Sequence, residues 1–189
     1  MKLILASNSP RRKDILENHH YSFEVITANF IEANKNNNPE QTAKDNAFGK
    51  AKAVFESLTE EKKLNSVVLG ADTVVCINGV ILNKPIDSVD AENMLNTLSA
   101  KTHSVITACA LISKNKSCVF AEESFVTFNK LTNEQIRNYV KTGKPLDKAG
   151  AYGIQDGYGL VKSYNGSLYN VIGLPIEKLI IKLKEFSLE

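Results

Sequence analysis

Arg11 and Arg12 are two of only three arginines in a chain that carries 20 lysines, and they stand side by side directly after Ser9 and Pro10. Serine is a preferred helix N-cap, and proline suits the first helical position because the N–H it lacks would go unpaired there. Both guanidinium groups therefore fall in the first turn of a helix that starts at Ser9. That is the positive end of the helix dipole, where a carboxylate is favoured and a cation is not. Arginines beside exposed backbone N–H groups build a site for a polyanion, phosphate being the simplest. A pair of solvated surface charges is the plainer alternative. Their place at a strand-to-helix turn favours phosphate.

Asp72 is the second group with chemistry. It lies inside one of the most apolar stretches of the chain, Val67–Ile77, so its carboxylate must be paired, metal-bound or strand-terminal. The alternative is that Gly70 kinks the strand and Asp72 caps a turn. Lys84-Pro85 weighs against that, because it follows a hairpin and returns to the same end of the sheet. A carboxylate and an ammonium near two arginines make a polyphosphate site, with Asp72 holding a metal or activating water and Lys84 neutralising phosphate charge. Glu32 and Lys50 say less on their own. Periodicity does not choose between Lys50 and Lys52 on the edges of one helix, and for both Glu32 and Lys50 the residues alone favour a plain solvated charge. Gly150–Gly159 packs four glycines into ten positions, which lets backbone approach a ligand or simply makes a tight loop. Within it Gln155 offers a carboxamide, a donor and an acceptor that match the edge of uracil or thymine.

The elements that must position these groups alternate between strand and helix. Met1–Ala6 reads as a buried strand, Ser9 to about His19 as a helix with Ile15 and Leu16 inward, and Ser22–Thr27 as a second strand. Asn34–Pro39 reads as a mobile loop, followed by a long helix from about Pro39 to Ser57 with Ala47, Ala51, Val54, Phe55 and Leu58 at helical spacing. Val67–Ile77 is a central strand that turns at Asn78-Gly79 into Val80–Leu82. A helix from Val89 to Leu98, capped by Asp87 or Ser88, precedes strands His103–Ser113 and Ser117–Asn129. Thr132–Gln135 is a capping box that opens a helix ending at Gly143. The glycine-rich stretch is expected to lead into a hairpin at Asn165-Gly166, and a last helix runs from Pro175 to Phe186. Hairpins and crossovers both occur, with no linker or repeat. The fold class is α/β, a single domain over residues 1–189 with a mixed sheet.

Composition narrows the rest. With 189 residues, 43% of them hydrophobic, the chain can bury a proper core. The net charge is only +2 and the basic residues are dispersed, so no nucleic acid is expected as partner. No apolar run approaches the ~20 residues of a membrane span, and the first is too short for a signal peptide. Cys76, Cys109 and Cys118 are odd in number and lack C-x-x-C spacing, which fits a reduced, cytoplasmic setting. His19, His20 and His103 form no zinc pattern; any metal is expected to be a hard cation on oxygen ligands. There is no Walker A loop, no G-x-G-x-x-G after a strand and no histidine placed for a Ser-His-Asp triad.

Taken together, Ala6–Arg12, Gly70–Thr73, Lys84-Pro85, Asp147–Gln155 and the late Gly173–Pro175 resemble the ordered motifs of the Maf family, nearly end to end. The resemblance implies an elongated mixed sheet flanked by helices, related to inosine-triphosphate pyrophosphatases. It implies hydrolysis of a nucleoside triphosphate to the monophosphate and pyrophosphate with a divalent cation, Mg²⁺ or Mn²⁺, as cofactor. Residue by residue, it makes Asp72 the catalytic proton acceptor and ties Arg12, Thr73 and Gln155 to substrate choice. Ser7, Arg11, Lys50 and Lys84 match further active-site positions, and Glu32 joins Asp72 as a metal ligand. Around Glu32 the family usually carries an acidic cluster, whereas Asn29–Ala33 keeps one carboxylate. The Ala151–Gln155 motif resembles the branch acting on dTTP and UTP. The family resemblance also implies a homodimer and a second function, a nucleotide-binding regulator of septum formation, although intact Asp72 and Lys84 argue against a dead enzyme. A purine-directed enzyme of the inosine-triphosphate type is disfavoured by the Gln155 motif.

Overall fold

The computed structural model describes residues 1–32 and 38–188. Their backbone forms one seven-stranded mixed sheet: β1 (Lys2–Leu5), β2 (Phe23–Val25), β3 (Ser66–Ile77), β4 (Val80–Leu82), β5 (Thr102–Ile112), β6 (Ser117–Phe128) and β7 (Val161–Asn165). The order is β2-β1-β3-β5-β6-β7, with β4 also on β3. β1 runs parallel to β2 and β3, and every other pairing is antiparallel. The helices are α1 (Pro10–Asn18), α2 (Pro39–Ser57), α3 (Glu60–Asn65), α4 (Ser88–Leu98), α5 (Asn133–Val140), α6 (Leu168–Ile172) and α7 (Ile176–Lys184). Among the described residues no helix is long and apolar enough to cross a membrane.

Strand alternation sorts the core into layers. On one face, Leu69, Ala71 and Leu111 pack under α1 and α7. Farther along that face, Val75, Ile77 and Val105 pack under α4 and α5. The opposite face, with Val68, Val74, Ala108 and Ala110, packs under α2 through Ala43, Ala47 and Ala51. That alanine stripe brings α2 close enough that a Cβ on Gly70 would lie 2.2 Å from the Ala47 carbonyl oxygen. Gly70 therefore neither kinks β3 nor ends it; the strand runs straight through, and the glycine makes room for the helix.

Along one edge of β3, β1 pairs only as far as Leu69 and the pairing with β4 starts at Val75. Residues 70–74 are paired with β5 on the other side and open on this one. Adjacent side chains point to opposite faces, yet at this gap both faces are reached from the same opening. Asp72 and Thr73 sit there.

Several expectations need correction. No hairpin forms at Asn165-Gly166. Gly166, at φ 108°, packs against Ser124 and turns the chain into α6, which Ser167 caps by accepting from Asn170 N–H. Neither α6 nor α3 was expected, because helices this short leave no periodic apolar signal. Ser9 occupies the N-cap position of α1, but its side chain makes no cap bond; the Ser9 N–H instead donates to Ser7 Oγ at 3.2 Å. Of the expected loop, residues 34–37 lie outside the described residues. Asn38 is already the N-cap of α2, its side chain accepting from Gln41 N–H at 3.0 Å. Asp87, not Ser88, caps α4.

Candidate active site

The gap in β3 opens into a cleft of about 730 Å³. Ser7, Arg11, Arg12, Glu32, Lys50, Asp72, Thr73, Lys84 and Gln155 all line it. The basic tip of α1, the mid-strand aspartate, the lysine after β4 and the glycine-rich segment meet there.

Asp72 is buried on the α2 face. Lys50 Nζ donates to its Oδ1 at 2.6 Å and Asn46 Nδ2 to its Oδ2 at 3.2 Å. Asn46 and Lys50 are one helical turn apart, so both stand over the same carboxylate. The partner of Asp72 is thus Lys50, while Lys84 reaches the same cleft, as expected, exposed and, among the described residues, without an ion pair. Lys52 points to solvent, which settles what periodicity left open.

Lys50 Nζ also lies 2.6 Å from Glu32 Oε1, so one ammonium bridges two carboxylates. Glu32 reaches it because the Phe30 ring seats on Gly49 of α2, where a Cβ would lie 2.1 Å from the ring. Partial burial raises the Glu32 pKa, but Lys50, with Lys84 and Arg12 behind it, outweighs that and holds the carboxyl below its usual range. Glu32 is no free surface charge.

Arg12 is held on three sides. Its Nε donates to the Gly173 carbonyl at 2.9 Å, Nη1 to Ser7 Oγ at 3.0 Å and Nη2 to Thr73 Oγ1 at 3.2 Å. Among the described residues, two of its five N–H groups are left for a ligand. Burial lowers its pKa and the Asp72 charge opposes that shift. Arg11 instead donates to Asp147 Oδ2 at 2.8 Å at the cleft mouth.

Gln155 is exposed within the short turn Ile154–Asp156. The Tyr139 hydroxyl closes that turn from both ends, donating to Asp156 Oδ2 at 2.5 Å and accepting from Gly153 N–H at 3.1 Å. Sequence reasoning missed Asn46, Tyr139, Thr107 and Asn170 as supporting groups, and quoted Asp147 within a motif without giving it a role. Only Asn46 carried a usable signal, its four-residue spacing from Lys50.

A family model described as Maf-like protein matches residues 2–186 of the chain. The chain belongs to the Maf family. Curated relatives agree. A protein of Bacillus cytotoxicus named dTTP/UTP pyrophosphatase is 46% identical over 187 residues, covering 98% of this chain and 95% of the relative. Proteins with the same name from Bacillus cereus and Bacillus mycoides are 43% identical over 190 residues and 45% over 187; the first covers 100% of this chain and 97% of the relative, the second 98% and 95%. The ordered motifs that resembled Maf proteins in the sequence are the ones that the Maf fold gathers around this cleft.

Proposed function

We propose that the protein hydrolyses nucleoside triphosphates, dTTP and UTP above all, to the monophosphate and pyrophosphate, clearing unwanted nucleotides from the pool. One observation carries the reading: a buried carboxylate, Asp72, faces a cleft ringed by Arg11, Arg12, Lys50 and Lys84. The names of the relatives supply the substrate class.

In this reading the triphosphate lies across the N-terminus of α1, where Arg12 and Lys84 meet its oxygens and Ser7 donates a further hydrogen bond. Asp72 accepts a proton from the water that attacks the α-phosphorus. The bond from that phosphorus to the bridging oxygen breaks, and pyrophosphate carries the electron pair away. Fixed cations neutralise charge that builds on the phosphates, without reorganising during the reaction. Gln155 and Thr73 select the base.

A divalent cation fits the donor chemistry. Asp72 and Glu32 offer carboxylate oxygens that already converge on one positive charge, each 2.6 Å from Lys50 Nζ. Among the described residues no cluster of three or more acidic, histidine or cysteine side chains forms, so the two carboxylates would share Mg²⁺ or Mn²⁺ with substrate oxygens. When bound, the ion supplies further neutralisation of phosphate charge.

The reading places the enzyme in a reducing cytoplasm, supported by three unpaired cysteines, of which Cys109 is buried with its thiol pushed up to about 12. The homodimer implied by the family resemblance is checked by sedimentation. Purified protein with Mg²⁺ is offered a panel of nucleoside triphosphates and the released phosphate species identified. Pyrophosphate from dTTP and UTP is expected. No release from any nucleotide, or release from ITP alone, overturns the reading.

A further inference from the structure

The hydroxyl groups of Ser7 and Thr73 flank the Arg12 guanidinium, and their hydrogen bonds fix where each proton points. A hydroxyl has one proton and two lone pairs. Thr107 Oγ1 lies 2.8 Å from the backbone carbonyl oxygen of Asn170, which only accepts, so the Thr107 proton is spent there. Thr73 Oγ1 is 3.0 Å from Thr107 Oγ1. With the Thr107 proton committed, the proton in that second bond belongs to Thr73. Arg12 Nη2 occupies one Thr73 lone pair at 3.2 Å. Thr73 therefore faces the cleft with a lone pair and no proton.

Ser7 is its opposite. Its Oγ accepts from Arg12 Nη1 at 3.0 Å and from Ser9 N–H at 3.2 Å. Both lone pairs are used, and its proton is left to donate.

Asn170 anchors the relay. It is fully buried: its Oδ1 accepts from Thr107 N–H at 3.0 Å, and its Nδ2 donates to the Val105 carbonyl and to Ser124 Oγ, each at 2.9 Å. Both polar atoms of the side chain are engaged, so α6 cannot rotate without breaking buried hydrogen bonds. The same helix ends at Gly173, whose carbonyl holds Arg12. One five-residue helix thus orients both the arginine and the threonine hydroxyl.

We infer that Thr107 and Asn170 are positioning residues for specificity, holding Thr73 as a hydrogen-bond acceptor so that the cleft selects a ligand with an N–H or O–H donor beside Arg12. Two groups common to dTTP and UTP have that chemistry, the imide N3–H of the base and the 3′-hydroxyl of the sugar. Cytosine carries an acceptor at N3, so an acceptor aimed at that ring position also rejects CTP. The inference rests on the proposed nucleotide pyrophosphatase activity.

The experiment measures kcat/KM for UTP, 3-methyl-UTP and 3′-deoxy-UTP with the parent protein and with Thr107→Val, Thr107→Ser and Thr73→Val. Leaving the Thr73 lone pair unmatched should cost the parent about tenfold or more on one analogue. Loss on 3-methyl-UTP places the donor on the base, and loss on 3′-deoxy-UTP places it on the sugar. Thr107→Val frees the Thr73 proton to turn, so the ratio of UTP to that analogue should fall toward one. Thr107→Ser keeps the relay and the parent ratio. Thr73→Val removes the acceptor itself and should also collapse the ratio, which decides the matter even if Thr107→Val fails to fold. Equal treatment of all three nucleotides by the parent overturns the inference. So does a uniform fall in kcat with the ratio unchanged in the Thr73 and Thr107 valine variants, the mark of a merely structural role. Absence of UTP hydrolysis by the parent overturns the proposed function instead.

Discussion

The Lys50 ammonium reaches within 2.6 Å of Asp72 because Gly70, two residues earlier on the same strand face, has no side chain. A Cβ on Gly70 would lie 2.2 Å from Ala47 O and 2.7 Å from Ala51 N, both backbone atoms of the helix that carries Lys50 and Asn46. Gly70→Ala must therefore lift α2 from β3. The expected cost is about 1–3 kcal/mol of stability, as for other overpacked cores. Activity at a temperature where the variant is folded should fall further than stability predicts, since both donors to Asp72 move. Thermal melts read beside pyrophosphate release test this, and a folded variant with parental activity would break the link.

Asp72→Asn keeps the side chain's shape and removes its ability to accept a proton from water. Loss of a general base costs about 10²–10⁴-fold in rate. Turnover of dTTP should fall by that order while nucleotide binding, measured calorimetrically, largely survives. Parental turnover in the variant refutes the assignment of Asp72.

Much of this site was legible in the sequence, and for identifiable reasons. Arg11 and Arg12 at a Ser-Pro helix start and Asp72 inside an apolar run each break a local preference, so they stand out from their neighbours. Lys50 and Glu32 break none. Choosing Lys50 over Lys52 needs the rotation of α2 about its axis, which Gly70 and three alanines determine through a long-range contact. Glu32 is placed by Phe30 lying on Gly49, another contact between distant parts of the chain. The strands and long helices were readable from periodicity. α6 was not: its five residues are held by Asn170 and the Ser167 cap rather than by an apolar stripe.

Gln155 sits on a turn clamped by Tyr139, and its carboxamide is exposed to the cleft. Gln155→Ala should relax the choice between bases more than it slows the best substrate. The check is kcat/KM across dTTP, UTP, CTP and GTP. A uniform loss on every base would count against a reading role.

Asp147 holds Arg11 at 2.8 Å, where a phosphate oxygen would otherwise compete for the guanidinium. The Asp147 carboxylate is more than half exposed, so the pair is worth no more than about 1 kcal/mol. Asp147→Asn weakens the competitor and should lower KM for the triphosphate by up to about fivefold, with kcat little changed. Added salt should shrink the difference between variant and parent. A raised KM would show that Asp147 serves the site by orienting Arg11 rather than by occupying it.

His103 lies buried between Phe128 and Tyr152, its Nε2 sharing a 2.7 Å hydrogen bond with the Tyr152 hydroxyl. Its Nδ1 has no partner among the described residues. Burial pushes the imidazole from 6.5 down to about 4. Between those values the unfolded chain binds a proton that the folded chain refuses, so stability falls as pH drops from 6.5 to 4 and levels off below. The loss amounts to roughly 3 kcal/mol at most. His103→Gln keeps an amide near the Tyr152 hydroxyl and removes the titration. Denaturant unfolding across this range should show the parent losing stability relative to the variant as acid is added. A constant gap between the two would mean that His103 is not the group responsible.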